Sequence, residues 1–402
     1  MPLRNHLRFT DIMLNSAAGA TMRAQRLSPE LAASTVHSIV SNGVTFDFYQ
    51  TSSITVGPIV GPNNNIWFAV GTSVGQFVLP QKTIQECPPT QAGLAQELVT
   101  DLTGNIWFGI SFGAPVIGRS TPGCNVTTYP TNGPTSNVVL GPNGNIYFSD
   151  QGQRIGSATP AGIITEFPTT YGTVDPIVGP GNAIWFGEFG PRIGKLTLPG
   201  NQVTEWTVTA AAITSSLLAT PDGSVWYGTD LTIGRITPGG QVQEYPIGNA
   251  GAFNLLLGPD GNVWFGCQFS AQVGKVTPAG QVSLYNTNDL PMGLAFGSDN
   301  KLYVGQLSYF LSVVDLNGNV NNLPLTGAIP FPPHLGPDGN IWFSGNPYLS
   351  PGVSPFIGCI TPAGVLTEFQ TSAYPNSFLN APDGSAIYMG MNTARFGVIN
   401  LV

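Results

Sequence analysis

Residues 258–266, GPDGNVWFG, combine a tight turn with the start of a strand, and close copies recur along the chain. Proline presets φ and the second glycine adopts a conformation that other residues avoid, so Pro-Asp-Gly predicts a turn. Successive strand residues point to opposite faces, so Trp264 and Phe265 should face opposite sides. The copies include GPNGNIYFS from Gly141, GPDGNIWFS from Gly336 and TPDGSVWYG from Thr220.

The aromatic residue after each turn recurs with a period close to 40 residues. Successive spacings are 40, 40, 38, 41, 38, 39, 39 and 46, and the last is long because it contains an inserted loop. This period with strand-type content is typical of β-propeller blades. We therefore predict an all-β fold, a single ring of nine four-stranded blades. The nine aromatic residues are Trp67, Trp107, Tyr147, Trp185, Trp226, Trp264, Tyr303, Trp342 and Tyr388.

The rest of each unit predicts a third strand and an outer strand. VGKVTP (273–278) recurs as IGRITP (233–238), and QVSLYNT (281–287) recurs as IITEFPT (163–169). Bases recur in the third strand and acids in the outer strand, so we expect ion pairs within or between blades. The bases are Arg119, Lys195, Arg235 and Lys275, and the acids are Glu166, Glu205 and Glu244.

The two ends of the sequence predict how the ring closes. The chain finishes on RFGVINLV (395–402), which matches a third strand, so the last unit lacks its outer strand. NGVTFDFYQTS (42–52) resembles the outer strand AGVLTEFQTS (363–372). We expect the N-terminal strand to pair with the C-terminal blade, which would leave no open sheet edge between the two ends. The domains are then an arm, 1–42, and the propeller, 43–402.

The arm is predicted to contain a short helix in SPELAASTVHSIVSNG (28–43). Ser28 suits an N-cap, Pro29 suits the first turn, and Asn42-Gly43 would end the helix. Such an arm would cap one mouth of the ring or contact a neighbouring subunit in a homo-oligomer. A flexible leader is the alternative.

Composition excludes several classes of partner. Only 8% of the 402 residues are charged, and the net charge is −8. Residues 1–42 hold four arginines and two acids, whereas the rest holds nine bases and nineteen acids. An acidic body without a basic stripe argues against nucleic acid. The N-terminus lacks the apolar core of a secretory signal, and no run of about 20 apolar residues predicts a membrane span.

The four cysteines fit neither metal-site nor redox-motif spacing. Cys87 and Cys124 fall in adjacent repeats, and Cys267 and Cys359 lie farther along the chain. Sequence does not decide whether the first two are bonded, because bonding depends on their separation in space.

The combination GPDGNVWF…VGKVTPAGQVSLY resembles the repeat of the virginiamycin B (streptogramin) lyase-like propellers over residues 43–402. Lyase members of that family are seven-bladed, so nine repeats are a departure. The resemblance implies ring opening of a cyclic depsipeptide by elimination, with a histidine base and Mg²⁺ held by glutamates near the end of the aromatic strand. Glu188 occupies such a place after IWFG, and Asp150 occupies a similar place after IYFS.

The histidine that the elimination needs is not evident. Fourteen residues before Glu188, where the resemblance places the base, stands Val174. His6 and His37 lie in the arm, and His334 occupies a slot that other repeats fill with apolar residues such as Ile177. A general base that works near neutral pH is most often a histidine.

Three aromatic residues in loops are candidate binding residues. Tyr309 and Phe310 lie in QLSYFLS, and Tyr348 lies in NPYLSP. Aromatic rings in loops beside Asn and Gln suit stacking on sugars or contact with a protein. His334 is a fourth candidate, either as a ligand or as part of the packing between blades.

Two functions follow from these observations. The first is a non-catalytic structural or recognition module that binds protein or glycan through its blade loops, with no cofactor, such as a virion, phage-tail or extracellular assembly component. The alternative is a divergent lyase-like enzyme with Mg²⁺ or Ca²⁺ at Glu188 and Asp150. The sequence names neither the ligand nor the compartment.

Overall fold

The computed structural model describes residues 35–41, 44–90, 93–210, 216–347 and 352–401, and these form nine antiparallel sheets. Each sheet is a blade of four strands in meander order, so the prediction of nine blades is confirmed. In the last blade the fourth strand comes from the N-terminal part of the chain, and a fifth strand lies outside it.

The first and second strands are separated by the recurring turns. The first strands are β3 (Thr55–Val60), β7 (Leu94–Thr100), β11 (Thr135–Leu140), β15 (Thr173–Gly179), β19 (Leu217–Ala219), β23 (Ala252–Leu257), β27 (Pro291–Phe296), the divided pair β31 (Ile329–Pro330) and β32 (His334–Leu335), and β36 (Pro375–Asn380). The second strands are β4 (Ile66–Val70), β8 (Ile106–Ser111), β12 (Ile146–Asp150), β16 (Ala183–Glu188), β20 (Val225–Gly228), β24 (Val263–Cys267), β28 (Leu302–Gln306), β33 (Ile341–Asn346) and β37 (Ala386–Met391). One 3-10 turn (Pro62–Asn64) precedes β4.

The third and fourth strands complete each blade. The third strands are β5 (Ser73–Val78), β9 (Val116–Ser120), β13 (Arg154–Ala158), β17 (Arg192–Thr197), β21 (Thr232–Ile236), β25 (Gln272–Val276), β29 (Phe310–Val314), β34 (Phe356–Ile360) and β38 (Arg395–Asn400). The fourth strands are β6 (Thr83–Glu86), β10 (Val126–Pro130), β14 (Ile164–Pro168), β18 (Gln202–Thr207), β22 (Val242–Pro246), β26 (Val282–Asn286), β30 (Val320–Pro324), β35 (Leu366–Gln370) and β2 (Val44–Gln50). The strand outside β2 is β1 (Thr35–Ser41).

The hydrophobic core lies between blades. Trp67 packs with Phe108 of the next blade, whereas its neighbour Phe68 packs with Tyr388 and Phe396 of the preceding blade. The prediction that the aromatic pair points to opposite sides is therefore confirmed, and each pair joins two interfaces. This explains why the pair recurs in a fold where every blade needs cover on both faces.

The meander gives the ring two different faces. Because the strands alternate in direction, the turns between first and second and between third and fourth strands lie on one face, which we name the turn face. The segments between second and third strands and the linkers between blades lie on the other, the loop face. First strands of neighbouring blades contact each other and surround the central channel.

The strands at the two ends of the chain lie side by side. β2 pairs antiparallel with β38 over six residue pairs, from Thr45 with Asn400 to Gln50 with Arg395. The Thr55 hydroxyl of the first blade donates to the Arg395 carbonyl at 2.6 Å and accepts the Met391 N–H at 3.0 Å. Thr135 and Thr173 make the same pair of hydrogen bonds to the blades that precede them.

The predicted helix over 28–43 is wrong where the structure describes it. Residues 35–41 form β1, which pairs with β2 from Thr35 with Tyr49 to Ser41 with Val44. The segment TVHSIVS is rich in β-branched residues, and the open edge of β2 supplies backbone partners that outweigh the local helix signals. Residues 28–34 lie outside the described part of the chain. The domain boundary at residue 42 stays a prediction, and it falls between β1 and β2.

The recurring bases and acids do not pair as predicted. Each base lies over the indole ring of its own blade, with Lys275 Nζ 5.0 Å from the Trp264 ring centre and Arg235 Cζ 5.3 Å from that of Trp226. Arg119 and Lys195 lie over Trp107 and Trp185 in the same way. The acids bind linkers instead, as described below. Spacing along strands cannot distinguish an ion pair from a cation over a ring.

Two further features complete the fold. Cys87, after β6, and Cys124, between β9 and β10, form a disulfide with Cα atoms 4.9 Å apart, which joins the first two blades. Cys267 and Cys359 are buried free thiols. No helix among the described residues is long and apolar enough to cross a membrane.

Candidate functional site

Two turns on the turn face share one hydrogen-bond arrangement. The Asp260 carboxylate accepts the Asn262 N–H at 3.2 Å and the Trp264 indole N–H at 3.2 Å. Asp338 makes the same contacts with Asn340 and Trp342. Each of these two aspartates therefore fixes both its turn and the core tryptophan, which is a structural role.

The loop face has a repeated arrangement of its own, in which an outer-strand glutamate holds the linker that enters its blade. Glu205 accepts the Thr170 N–H at 2.7 Å and the Thr170 hydroxyl at 2.7 Å. Burial alone would raise the pKa of Glu205, but the hydrogen bonds from Thr170 and the adjacent Arg192 outweigh burial and lower that pKa. The same arrangement joins Glu244 to Thr209, Glu368 to Thr326, Glu166 to Asn132 and Glu86 to Ser52.

Large apolar side chains are exposed on this loop face, directly after second strands or in linkers. They are Phe112 after β8, Tyr171 before β15, Phe189 after β16 and Phe269 after β24. Sequence reasoning missed all four, because the number of residues between the aromatic strand and these positions varies from blade to blade. The only available signal was their shared place after the end of a second strand or just before a first strand.

Tyr171 and Phe189 form an aromatic platform on the fourth blade. They are 38% and 44% exposed. Each ring lies against the glycine that follows the other residue: a Cβ at Gly190 would be 2.4 Å from Tyr171 Cδ2, and one at Gly172 would be 2.9 Å from Phe189 Cδ2. Both glycines are therefore needed for the rings to lie flat on the loops. The Phe189 N–H also donates to the Gly172 carbonyl at 2.8 Å, which fixes the two loops together.

A shallow hollow of about 260 Å³ adjoins this platform. It is lined by Pro168, Thr169, Thr170, Val203 and Glu205. Hydroxyl and carboxylate groups thus lie beside the exposed rings, a mixture that suits a ligand with both apolar faces and hydroxyl groups.

Glu188 and Asp150 lie under the loop face and are fully buried. Glu188 Oε2 accepts the Tyr171 N–H at 2.9 Å, and Asp150 Oδ1 accepts the Gly152 N–H at 2.6 Å. Burial raises the pKa of Glu188 to about 8, and the neighbouring Glu205 contributes in the same direction. Burial likewise raises the pKa of Asp150 to about 6, with a contribution from Glu166.

The two carboxyls do not fit the divalent cation that the lyase resemblance implies. One oxygen of each accepts a backbone N–H, and each side chain lies within hydrogen-bonding reach of a second carboxyl of its own blade. Within the residues that the structure describes, no group of three or more His, Cys, Asp or Glu is placed to hold a metal. No chemical step is therefore assigned to a metal here.

His334 joins the eighth and ninth blades. Its Nε2 lies 2.7 Å from Asn380 Oδ1, and its ring stacks on Phe378 with 5.5 Å between ring centres. It pairs with Trp342 in the register that joins Ile177 to Trp185, so it occupies the apolar slot expected from the repeat. Burial lowers the pKa of the imidazole, and Asn380 opposes this.

The three loop aromatics predicted from sequence lie on the same loop face, as far as the structure describes them. Tyr309 precedes β29 and is half-buried, and Phe310 is the half-buried first residue of that strand. Tyr348 lies outside the described residues. Whether any of them binds a ligand stays a prediction.

The central channel contains a cavity of about 410 Å³. Its polar lining comes from equivalent positions of five successive first strands, at or beside a β-bulge. Neither Glu188 nor Asp150 lines it. Asn137 Nδ2 donates to Glu97 Oε1 at 2.7 Å across two blades. The five polar residues are Glu97, Asn137, Asp175, Ser216 and Asn254.

Fold and site together define a nine-bladed β-propeller with tight turns on one face and exposed aromatic side chains on the other. The sequence model of the Virginiamycin B lyase family matches residues 141–345, about half of the chain. The chain therefore belongs to the Virginiamycin B lyase family.

One solved structure supports the fold, and a second is also similar to this chain. A catalytically inactive virginiamycin B lyase from Staphylococcus aureus with quinupristin is 19% identical, with a TM-score of 0.50, over 84% of this chain and 99% of that chain. The selenomethionine-substituted form of the lyase from that organism is 20% identical, with a TM-score of 0.49, over 78% and 96%. A search of curated proteins found no match.

Proposed function

We propose that this protein is a non-catalytic recognition module that binds a glycan on its loop face, with Tyr171 and Phe189 stacking against sugar rings. The observation that carries the proposal is the platform itself. Two large rings remain partly exposed on adjoining loops, and each lies against a glycine of the other loop. A pair of exposed rings in a fold with a well-filled core is better explained by binding than by stability.

The surroundings favour a glycan over a charged ligand. The hollow beside the rings offers the Thr169 and Thr170 side chains and one carboxylate, Glu205. Only 8% of the chain is charged. Neutral hydroxyl groups next to aromatic faces match the alternating hydroxyl and C–H surfaces of a sugar.

The structure offers little support for elimination chemistry. The position predicted for the base holds Val174, which is buried. His334 is engaged with Asn380 between blades, and Glu188 and Asp150 are buried away from the channel cavity. A general base has to reach the proton that it removes.

The proposal extends to how the ring is closed and assembled. We infer that β2 is the closing strand, a role supported by its pairing with β38 and by the Thr55 bonds across the same junction. Oligomerisation through the arm, and a place in a virion, phage tail or extracellular assembly, stay predictions.

Glycan binding is tested with an immobilised oligosaccharide panel and the full chain. The variants Tyr171→Ala and Phe189→Ala should each weaken binding by about tenfold or more, as loss of a central aromatic contact does. Ile163→Ala, which removes an exposed apolar side chain from the turn face, is the matched control and should bind normally. Binding that survives loss of both rings would overturn the proposal.

The enzymatic alternative is tested by incubating the protein with quinupristin and Mg²⁺ and following ring opening by mass spectrometry. We expect intact quinupristin. Ring opening that is lost when Mg²⁺ is chelated would establish the lyase-like function instead.

A further inference from the structure

The second strands of the third and fourth blades end in carboxyl side chains, Asp150 and Glu188, that each have an unpaired oxygen. Both residues are fully buried. One oxygen of each accepts a backbone N–H, but no residue that the structure describes donates a hydrogen bond to Asp150 Oδ2 or Glu188 Oε1. An ionised carboxylate oxygen that is buried without a donor carries a large desolvation cost.

The neighbour of each unpaired side chain is another carboxyl. Glu188 lies within hydrogen-bonding reach of Glu205, and Asp150 lies within reach of Glu166. Glu205 is held in place by two bonds from Thr170 and one from Arg192 Nη1 at 3.0 Å. Two ionised carboxylates within hydrogen-bonding reach repel, whereas one proton on the buried carboxyl makes it a donor and lets the neighbouring carboxylate accept.

The seventh blade provides an internal comparison. Gln306 ends the second strand there and is fully buried. Its Oε1 accepts the Asp289 N–H at 2.7 Å, as Glu188 accepts the N–H of Tyr171 at the equivalent linker position. Its Nε2 donates to the Ser312 hydroxyl at 2.5 Å, toward the outer strand. An amide thus does in one blade what a protonated carboxyl can do in another.

We propose that Glu188 near neutral pH, and Asp150 in mildly acidic solution, are neutral carboxylic acids that donate to Glu205 and Glu166, that they fasten the loop-face segments of their blades, and that they do not bind metal. Glu188 then joins three elements: it accepts from the linker at Tyr171, it donates to the outer strand, and it is itself on the aromatic strand. Asp150 differs in one contact, because it accepts from Gly152 in the loop between β12 and β13, but it donates to the outer strand of the third blade in the same way. This inference stands apart from glycan binding.

The charged groups around each acid agree with this assignment. Glu188 faces Glu205 on β18 and Arg192 on β17, and burial and Glu205 outweigh Arg192 so that its pKa is about 8. Asp150 faces Glu166 on β14 and Arg154 on β13, and its pKa is about 6.

The raised pKa values of Glu188 and Asp150 determine in which direction the stability changes with pH. In the unfolded chain the protons leave near pH 4.5 and 3.8, whereas in the folded chain they stay until about pH 8 and about pH 6. The contribution of Glu188 to stability is therefore complete below pH 4.5 and is lost as the pH rises to about 8. That of Asp150 is lost between pH 3.8 and about 6.

Infrared spectroscopy and thermal unfolding of the full chain test the assignment together. We expect wild-type protein near neutral pH to show the carbonyl band of a protonated carboxyl, and Glu188→Gln to lose it. Because glutamine keeps both hydrogen bonds without a titrating proton, the Tm of Glu188→Gln should fall less than that of wild type between about pH 5 and pH 8. Glu188→Ala should be less stable than either at every pH.

Glu97→Gln is the matched control, because Glu97 is an exposed carboxylate, and it should leave the band and the pH profile unchanged. Absence of a protonated-carboxyl band in the wild type would overturn the proposal even if a variant fails to fold. So would a Mg²⁺-dependent rise in Tm that Glu188→Gln abolishes.

Discussion

The turn face and the loop face of the ring are made from the same number of connections. The same residues recur in several turns of the turn face, whereas the exposed residues of the loop face vary from blade to blade. On the turn face, the Asp260 and Asp338 turns place the same atoms on the same indole groups. On the loop face, the hydrogen bonds from linkers to outer-strand glutamates recur. The exposed side chains beside them vary from blade to blade, and they include Phe112 and Phe189. A common backbone arrangement that leaves its side chains variable is the setting in which binding surfaces develop.

The largest effect should come from the core tryptophan that the turn face positions. Trp264→Ala removes a fully buried ring that packs on Tyr285 and carries Lys275 over its face. We expect a loss of about 3–5 kcal/mol in the free energy of unfolding, measured by urea denaturation. Leu257→Ala, at an exposed site nearby, is the control. A loss below about 1 kcal/mol would mean that the blades do not depend on these rings.

The next largest effect on stability should come from a glutamate that holds a linker on the loop face. Glu205→Ala removes the acceptor of two Thr170 bonds and of Arg192, and leaves these donors unpaired. The free energy of unfolding should fall by about 1–3 kcal/mol. Hydrogen exchange should rise in residues 168–172 and remain unchanged at Thr209, which Glu244 holds. An equal rise in hydrogen exchange in both linkers would contradict a local role for Glu205.

The turn aspartates should produce a smaller and repeatable effect. Asp260→Ala and Asp338→Ala each remove one cap of the turn and one partner of an indole N–H. We expect about 1 kcal/mol for each. If the Asp260 and Asp338 turns are as alike as their hydrogen bonds indicate, the two losses of unfolding free energy should agree within about 0.5 kcal/mol in chemical denaturation. A wide difference between them would break the contrast between the faces.

The smallest effect on stability should come from the exposed aromatic residues. Phe112→Ala should change the free energy of unfolding by less than about 0.5 kcal/mol because its side chain is 63% exposed, and Phe189→Ala, at 44% exposure, should cost no more than about 1 kcal/mol. Calorimetry checks this alongside the glycan-binding assay. A large destabilisation would make the rings structural and would remove the reason to assign them to binding.

Much of the ring was predictable because its interior repeats. Every blade must cover both of its faces, so residues such as Trp67 and Phe68 recur at a fixed spacing and can be counted. The helix predicted at 28–43 failed over 35–41 because a cap and a stop signal are local, whereas the β2 edge that captures the segment is brought there by the fold.

The candidate site was less predictable, for physical reasons. Glu188 could be singled out by its place after the aromatic strand, but its burial and its neighbour Glu205 depend on two other strands. Arg235 was predicted to pair with an outer-strand acid, yet it lies over the Trp226 ring and its Nη1 is 3.8 Å from Oδ2 of the turn residue Asp222. Tyr171 and Phe189 lie 18 positions apart in sequence, and only the folded loops bring each onto the other's glycine.

The covalent bond between Cys87 and Cys124 makes the chain a reporter of its own surroundings. Cytosolic reductants keep thiol pairs open, whereas secreted and surface-exposed proteins retain the bond. Alkylation of free thiols during cell lysis, followed by mass spectrometry of the peptides that contain these two residues, would show in which kind of compartment the folded protein resides.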